Sequence, residues 1–239
     1  MESTRGMKVI PVRGSTERSG HRFDPSRLRE VRVVRNVEVA PDVRLLSYER
    51  TETFVPGQSV ALTLDRAVPP RFYSIASGTA EPLLDVLYDV VSDGLLTPRL
   101  ASLQPGDLVL ASPPFGAFQD ARGPSCWVAT GTGIAPFISM ARSAPLEGKM
   151  LVHGSRTIAG LFERAFFTEN LGQAYIPCCS REPGDGVFPG RPTAWLTDRP
   201  LPAVERYLLC GSSFMVVDAR DILIRRGVPF ENVVAEIYF

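Results

Sequence analysis

From Val31 to about Ser112 the chain alternates apolar and polar positions in short runs: VRVVRNVEVA, DVRLLSYER, SVALTLD, RFYSIAS, LLDVLYDVV and DLVLAS. A period of two builds strands with one face in a core and the other outside it. The runs are separated by the turn tokens Ala-Pro-Asp, Val-Pro-Gly and Gln-Pro-Gly-Asp. Six such strands in succession predict a closed antiparallel barrel. One stretch, LLTPRLASL at 95–103, predicts a helix inserted before the last strand.

QDARGP at 119–124 is a polar break of the kind that joins domains. Beyond it the rhythm becomes strand then helix. CWVAT precedes APFISMAR, KMLVHG precedes GLFERAFFTEN, QAYIPCC follows, RYLLC precedes FMVVDARDILIRR, and VVAEIYF closes the chain. Alternating units of this kind predict a parallel sheet flanked by helices, whose ligands bind at the carboxyl ends of the strands. The expected organisation is a basic extension at 1–30, a barrel domain at 31–120 and an α/β domain at 124–239. There is no internal repeat and no low-complexity segment.

At 239 residues the chain suits two domains of about 100 residues each. Apolar residues make up 44% of it, yet no apolar run reaches the roughly 18 residues of a membrane span. No membrane partner is expected. MESTRGMKVIPVRG lacks the apolar core of a secretory signal, which predicts a cytoplasmic protein. The formal net charge of zero hides an asymmetry, because residues 1–35 hold nine basic and four acidic groups. That segment reads either as a solvated tail or as an arm that steers an acidic partner. No nucleic-acid partner is expected. Four cysteines without a C-x-x-C pair predict no iron–sulfur or zinc site, and two histidines, His21 and His153, make a histidine-based metal site unexpected.

Three stretches carry candidate chemistry. In RFYS, alternation puts Arg71 and Tyr73 on one face and Phe72 and Ser74 on the other. This fits an edge strand with a surface charge and a packed tyrosine, and equally a cation beside an aromatic plate. The strand ending at Thr130 runs into Gly131, Thr132 and Gly133, with Pro136 in the first turn of the next helix. Glycines let a backbone approach a pyrophosphate and a helix amino end attracts anions, although the same pattern marks any tight strand-to-helix turn. The end of the next strand carries Arg156 where a site for NAD would normally present a carboxylate. A guanidinium there suits a 2′-phosphate, or serves as a solvated residue at a helix start.

RFYS, GLLT, PPFGAF, GTGIAPF, LLCG with a following methionine, and the terminal AEIYF occur in the order found in the ferredoxin–NADP reductase family. Over residues 31–239 the chain resembles the bacterial type of that family. The resemblance implies an antiparallel six-stranded FAD-binding barrel followed by a parallel-sheet NADP-binding domain. By resemblance Arg71 binds the FAD pyrophosphate, Tyr73 stacks on the isoalloxazine and Ser74 lies near flavin N5. Phe72, Leu87, Tyr88 and Val90 would line the flavin, and Gly94, Leu95, Leu96 and Thr97 would form a second turn against the diphosphate. Thr130, Gly131, Thr132 and Gly133 would receive the NADP pyrophosphate, and Arg156, Ser180, Arg181 and Arg191 its 2′-phosphate. Cys210 and Gly211 match a segment beside the nicotinamide, Glu236 a carboxylate that handles charge near the flavin, Tyr238 a gate over the isoalloxazine, and Phe239 a ring near the adenine.

The activity so implied is hydride exchange between NADPH and FAD, with one-electron transfer to or from ferredoxin or flavodoxin by a monomeric protein. Ser74, Cys210, Glu236 and Tyr238 would act at the hydride site. Two other readings share the same domains: the reductase component of an oxygenase, and a flavin-binding electron-transfer subunit of a larger complex.

Overall fold

The computed structural model describes residues 23–121 and 123–238. They form two compact units, one of 23–119 with 135–144 and one of 120–134 with 145–238. The proposed roles of the first 22 residues and of Phe239 lie outside the described residues.

In the first unit, β1 (Arg29–Ala40), β2 (Val43–Glu49), β3 (Ser59–Thr63), β4 (Arg71–Ser74), β5 (Leu83–Asp89) and β6 (Leu108–Ala111) pair antiparallel in the order β4-β3-β6-β1-β2-β5. A bridge between Ile75 and Val86 brings the end of β4 to β5 and closes the ring. The turn tokens do what their chemistry allows: Asp42 takes a left-handed φ of 61° between β1 and β2, and Gly106 takes 101° before β6. Alternate residues Val31, Val33, Leu46, Tyr48, Val60, Leu62, Val86 and Tyr88 fill the interior.

The helix predicted over 95–103 is shorter. It is α1 (Thr97–Ala101), which sends Leu96 and Leu100 into the barrel. Pro98 fits its first turn, where no amide is needed. Leu103 N–H turns back to Leu100 O at 3.1 Å, and the Asn36 side-chain amide donates to Leu100 O and Leu103 O at 2.8 and 3.0 Å. With its last carbonyls taken, the helix stops.

The second unit is a parallel sheet of β7 (Ser125–Thr130), β8 (Lys149–Ser155), β9 (Tyr175–Cys179), β10 (Phe188–Pro189), β11 (Arg206–Ser212) and β12 (Val233–Tyr238), in the order β10-β9-β8-β7-β11-β12. The order reverses at β7, so the crevice between the ends of β7 and β11 is the topological switch point. The helix α2 (Ala135–Ser143) belongs by its contacts to the first unit, whereas α3 (Arg164–Leu171), α4 (Pro192–Asp198) and α5 (Ser213–Arg225) belong to the second. The pattern predicted α2 and α5 within one residue at each end. Strand β10 and helix α4 carry too short an apolar signal to be read, and α3 begins only after Glu163, whose φ of 57° is not helical.

The polar break at 119–124 is anchored. Asp120 Oδ2 accepts from Ser125 Oγ at 2.6 Å, Trp127 Nε1 at 2.8 Å and Lys149 Nζ at 2.8 Å, while Lys149 also donates to Gly123 O at 2.8 Å. No helix is long and apolar enough to cross a membrane, and no group of three or more His, Cys, Asp or Glu side chains could hold a metal ion among the described residues.

Candidate functional site

In the barrel, β4 places the RFYS side chains on two faces. The Tyr73 ring meets Tyr88 edge-on, with centroids 6.0 Å apart and planes at 69°. Its hydroxyl is buried without a protein partner, and burial raises its pKa far above the usual phenol value. Arg71 lies near enough for its charge to act on that phenol. On the other face, Phe72 packs against Phe23 and Phe115, each at 5.1 Å, and Ser74 Oγ lies 3.3 Å from Ser59 Oγ, both serines buried.

Of the three candidates in and just after β5, Tyr88 points into the core and donates to Asn36 Oδ1 at 3.1 Å, so a ligand could meet only its backbone. Leu87 is buried on the opposite face, and Val90 packs against the core with its N–H on Asp42 O at 2.7 Å. The following turn is stapled by Thr97 Oγ1, which accepts from Val91 N–H at 2.9 Å, and by Gly94 N–H on Val91 O at 2.8 Å. Within it Leu95 is 74% exposed, whereas Leu96 is buried. The backbone of this turn is therefore shaped by a side chain that the pattern Gly-Leu-Leu-Thr already contains.

In the sheet unit, Thr130 ends β7 with its hydroxyl buried and unpartnered. Gly131 takes φ of 56°, and a Cβ on Gly133 would sit 2.4 Å from Gly211 Cα. Gly211, at φ of 138°, is equally confined, since its Cβ would meet Thr130 Oγ1 at 2.4 Å. The glycine turn after β7 and the end of β11 are thus in backbone contact at the switch point. Just below, Cys210 and Glu236 are register partners on β11 and β12. The Cys210 thiol donates to Glu236 Oε2 at 3.8 Å, and both side chains are buried. Burial, and then the Glu236 charge, raise the Cys210 pKa well above the usual thiol value. The thiol stays protonated, which suits contact rather than nucleophilic attack. Tyr238 ends β12 opposite Ser212 and is half-buried.

Arg156, Arg181 and Arg191 each lie within two residues of the end of one of the neighbouring strands β8, β9 and β10. Arg181 N–H donates to Arg156 O at 3.0 Å, Ser180 N–H to Ser155 O at 3.1 Å, and Arg191 follows β10, which pairs with β9. All three arginines are exposed, and none forms an ion pair with a described residue. The neighbouring carboxylate, Glu182, is occupied by Ile158 N–H at 2.7 Å. Three exposed arginines therefore follow the carboxyl ends of three neighbouring strands, none of them ion-paired with a described residue.

Buried polar groups are almost always satisfied. The Tyr73 and Thr130 hydroxyls lack protein partners, one on the strand with Arg71 and one at the glycine turn. Buried atoms of Tyr48, Asp85, Asp120, Ser139 and His153 are likewise unpartnered, so it is their place on β4 and at the glycine turn that fits these two hydroxyls to a flavin dinucleotide in the first unit and a pyridine dinucleotide in the second.

No family model matches the chain. It is 30% identical to the ferredoxin–NADP reductase of Azotobacter vinelandii, over 75% of this chain and 83% of that protein. The chain belongs to the ferredoxin–NADP reductase family. It is a flavoprotein oxidoreductase by that membership.

The family includes relatives of other roles. The chain is 32% identical to the reductase subunit of an aromatic O-demethylase from Amycolatopsis sp., over 84% of this chain and 66% of that protein. It is 28% identical to a probable dihydroorotate dehydrogenase B (NAD(+)) electron transfer subunit from Pyrococcus abyssi, over 82% of this chain and 74% of that protein. The fold matches the ferredoxin NADP+ reductase from Neisseria gonorrhoeae, solved with bound FAD and NADP, at a TM-score of 0.78 and 20% identity, over 89% of this chain and 99% of that one. The barrel and the parallel sheet are the two halves of this family fold.

Asn36, Asp120 and the helix α4 escaped the sequence reading. Asn36 sits in a strand-like run, where nothing marks its amide as a helix anchor. Asp120 sits in a segment whose polarity hides its burial.

Proposed function

We propose that the chain is an FAD-dependent NADPH reductase that exchanges electrons with a one-electron carrier of the ferredoxin or flavodoxin type. The observation that carries the NADPH reading is the arginine trio at the ends of β8, β9 and β10, exposed and without an ion-pair partner. A 2′-phosphate is a compact dianion that a set of guanidinium groups recognises, whereas a ribose hydroxyl calls for a carboxylate acceptor.

FAD, when bound, supplies the hydride-exchanging N5 and the conversion between two-electron and one-electron steps. Arg71 neutralises its diphosphate, the Val91–Thr97 turn offers backbone amides to the same group, and the Tyr73 ring stacks on the isoalloxazine. Ser74 offers a hydroxyl for N5. Thr130 and the glycine turn hold the pyrophosphate of NADPH. Cys210, held protonated by burial and aligned by Glu236, positions the nicotinamide through contact.

The Azotobacter vinelandii relative supports ferredoxin, while the O-demethylase relative supports the reductase component of a larger enzyme system. The test is anaerobic mixing of the purified protein with NADPH and, separately, NADH, followed by visible flavin absorbance. Fast bleaching by NADPH and slow bleaching by NADH is the expected result. Bound flavin reduced by neither coenzyme would overturn it in favour of an electron-transfer subunit, and a protein that takes up no FAD would remove the flavin reading altogether.

A further inference from the structure

Asn36 lies on β1 and is not among the residues expected to touch FAD, yet it is bonded on every side. Its Nδ2 donates to Leu100 O at 2.8 Å and Leu103 O at 3.0 Å, with Ala101 O at 3.4 Å, all at the C-terminal end of α1. Its Oδ1 accepts from Tyr88 Oη at 3.1 Å and from Arg44 Nε at 3.2 Å, and its own carbonyl accepts from Arg44 Nη2 at 2.8 Å. A short helix cannot hold itself in water, so its position comes from what grips it. The grip on α1 is the burial of Leu96 and Leu100 together with this amide.

Two of these connections, to the end of α1 and to Tyr88, lead to different parts of the flavin site. Through α1 the amide reaches Thr97, whose hydroxyl fixes the 91–97 turn that faces the diphosphate. Through Oδ1 it orients Tyr88, whose ring supports Tyr73 edge-on. We infer that Asn36 is a positioning residue that couples the diphosphate turn to the aromatic plate, so that both ends of the flavin site are set by one side chain. The inference rests on the reading of this unit as the FAD site.

The two arms can be cut separately. Asn36→Asp keeps an acceptor for Tyr88 and Arg44 but turns oxygen toward the α1 carbonyls, whereas Tyr88→Phe removes only the bond to Oδ1. FAD is titrated into each full-length variant well below its melting temperature, and the dissociation constant and the fluorescence of the bound flavin are read. A merely structural role would lower the melting temperature and leave both readings of the folded protein alone. Coupling predicts that Asn36→Asp weakens FAD binding about tenfold. It predicts that Tyr88→Phe leaves affinity within about threefold but loosens Tyr73 and raises bound-flavin fluorescence. A folded Asn36→Asp protein with unchanged affinity would overturn the inference, as would unchanged fluorescence in Tyr88→Phe if the aspartate variant fails to fold. A wild-type protein that binds no FAD would instead overturn the reading of the site, and the coupling with it.

Discussion

Gly133 and Gly211 touch through their backbones: a single methyl added to Gly133 would lie 2.4 Å from Gly211 Cα and 2.6 Å from Cys210 O. The contact joins the glycine turn after β7 to the strand end that carries Cys210, and both partners are backbone, which cannot swing aside. Gly133→Ala is expected to cost about 1–3 kcal/mol of stability, as overpacking of a close contact does. It is also expected to weaken NADP+ binding, because the turn must shift. Urea unfolding and a NADP+ titration check both; a variant with unchanged unfolding and binding would show that the contact relaxes freely.

The arginine trio gives a selectivity prediction. Arg156→Ala, Arg181→Ala and Arg191→Ala should each lower kcat/KM for NADPH about tenfold, by loss of a charge-assisted hydrogen bond, and leave that for NADH nearly unchanged. The ratio of the two specificity constants is the readout. An unchanged ratio in the triple variant would remove the 2′-phosphate assignment.

How much of this was legible before the structure depended on the range of the signal. Period-two alternation marked the six barrel strands, and Gly-x-Gly before an apolar helix marked the turn at 131–133, because both are local. Ordered motifs extended the reading to the arginines, which follow the neighbouring strands β8, β9 and β10. Asn36 and Asp120 were hidden for the opposite reason. Their partners lie 64 to 67 positions away for the α1 carbonyls and 29 for Lys149, and a polar residue in a strand or a polar joint looks the same whether or not it is bonded.

Asp120 and Lys149 form a pair with side chains only 6% and 11% exposed. Removing one member of a buried pair leaves the other charge without compensation, so Lys149→Ala should cost about 3–5 kcal/mol. Asp120 keeps its bonds from Ser125 and Trp127, which places the expectation near the lower end of that range. Urea unfolding monitored by tryptophan fluorescence measures it. A loss below about 1 kcal/mol would mean that water replaces the ammonium.

His153 sets a pH dependence. Its ring is fully buried on β8, with Nδ1 3.2 Å from Tyr175 Oη, and burial pushes its pKa down to about 3. The folded protein therefore keeps the imidazole neutral while the unfolded chain takes up a proton below about pH 6.5. Below that pH the unfolded state binds more protons, so stability is full above about 6.5 and is lost as pH falls toward 3. Between pH 6.5 and 5.5, above the range where most carboxylates titrate, the single site should remove about 1 kcal/mol. His153→Gln lacks the titration. Its unfolding free energy should be flatter than that of the wild type by that amount across the same window, whatever the variant's absolute stability. Parallel pH profiles for the two proteins would mean that the buried imidazole takes up a proton in the folded state almost as readily as in water.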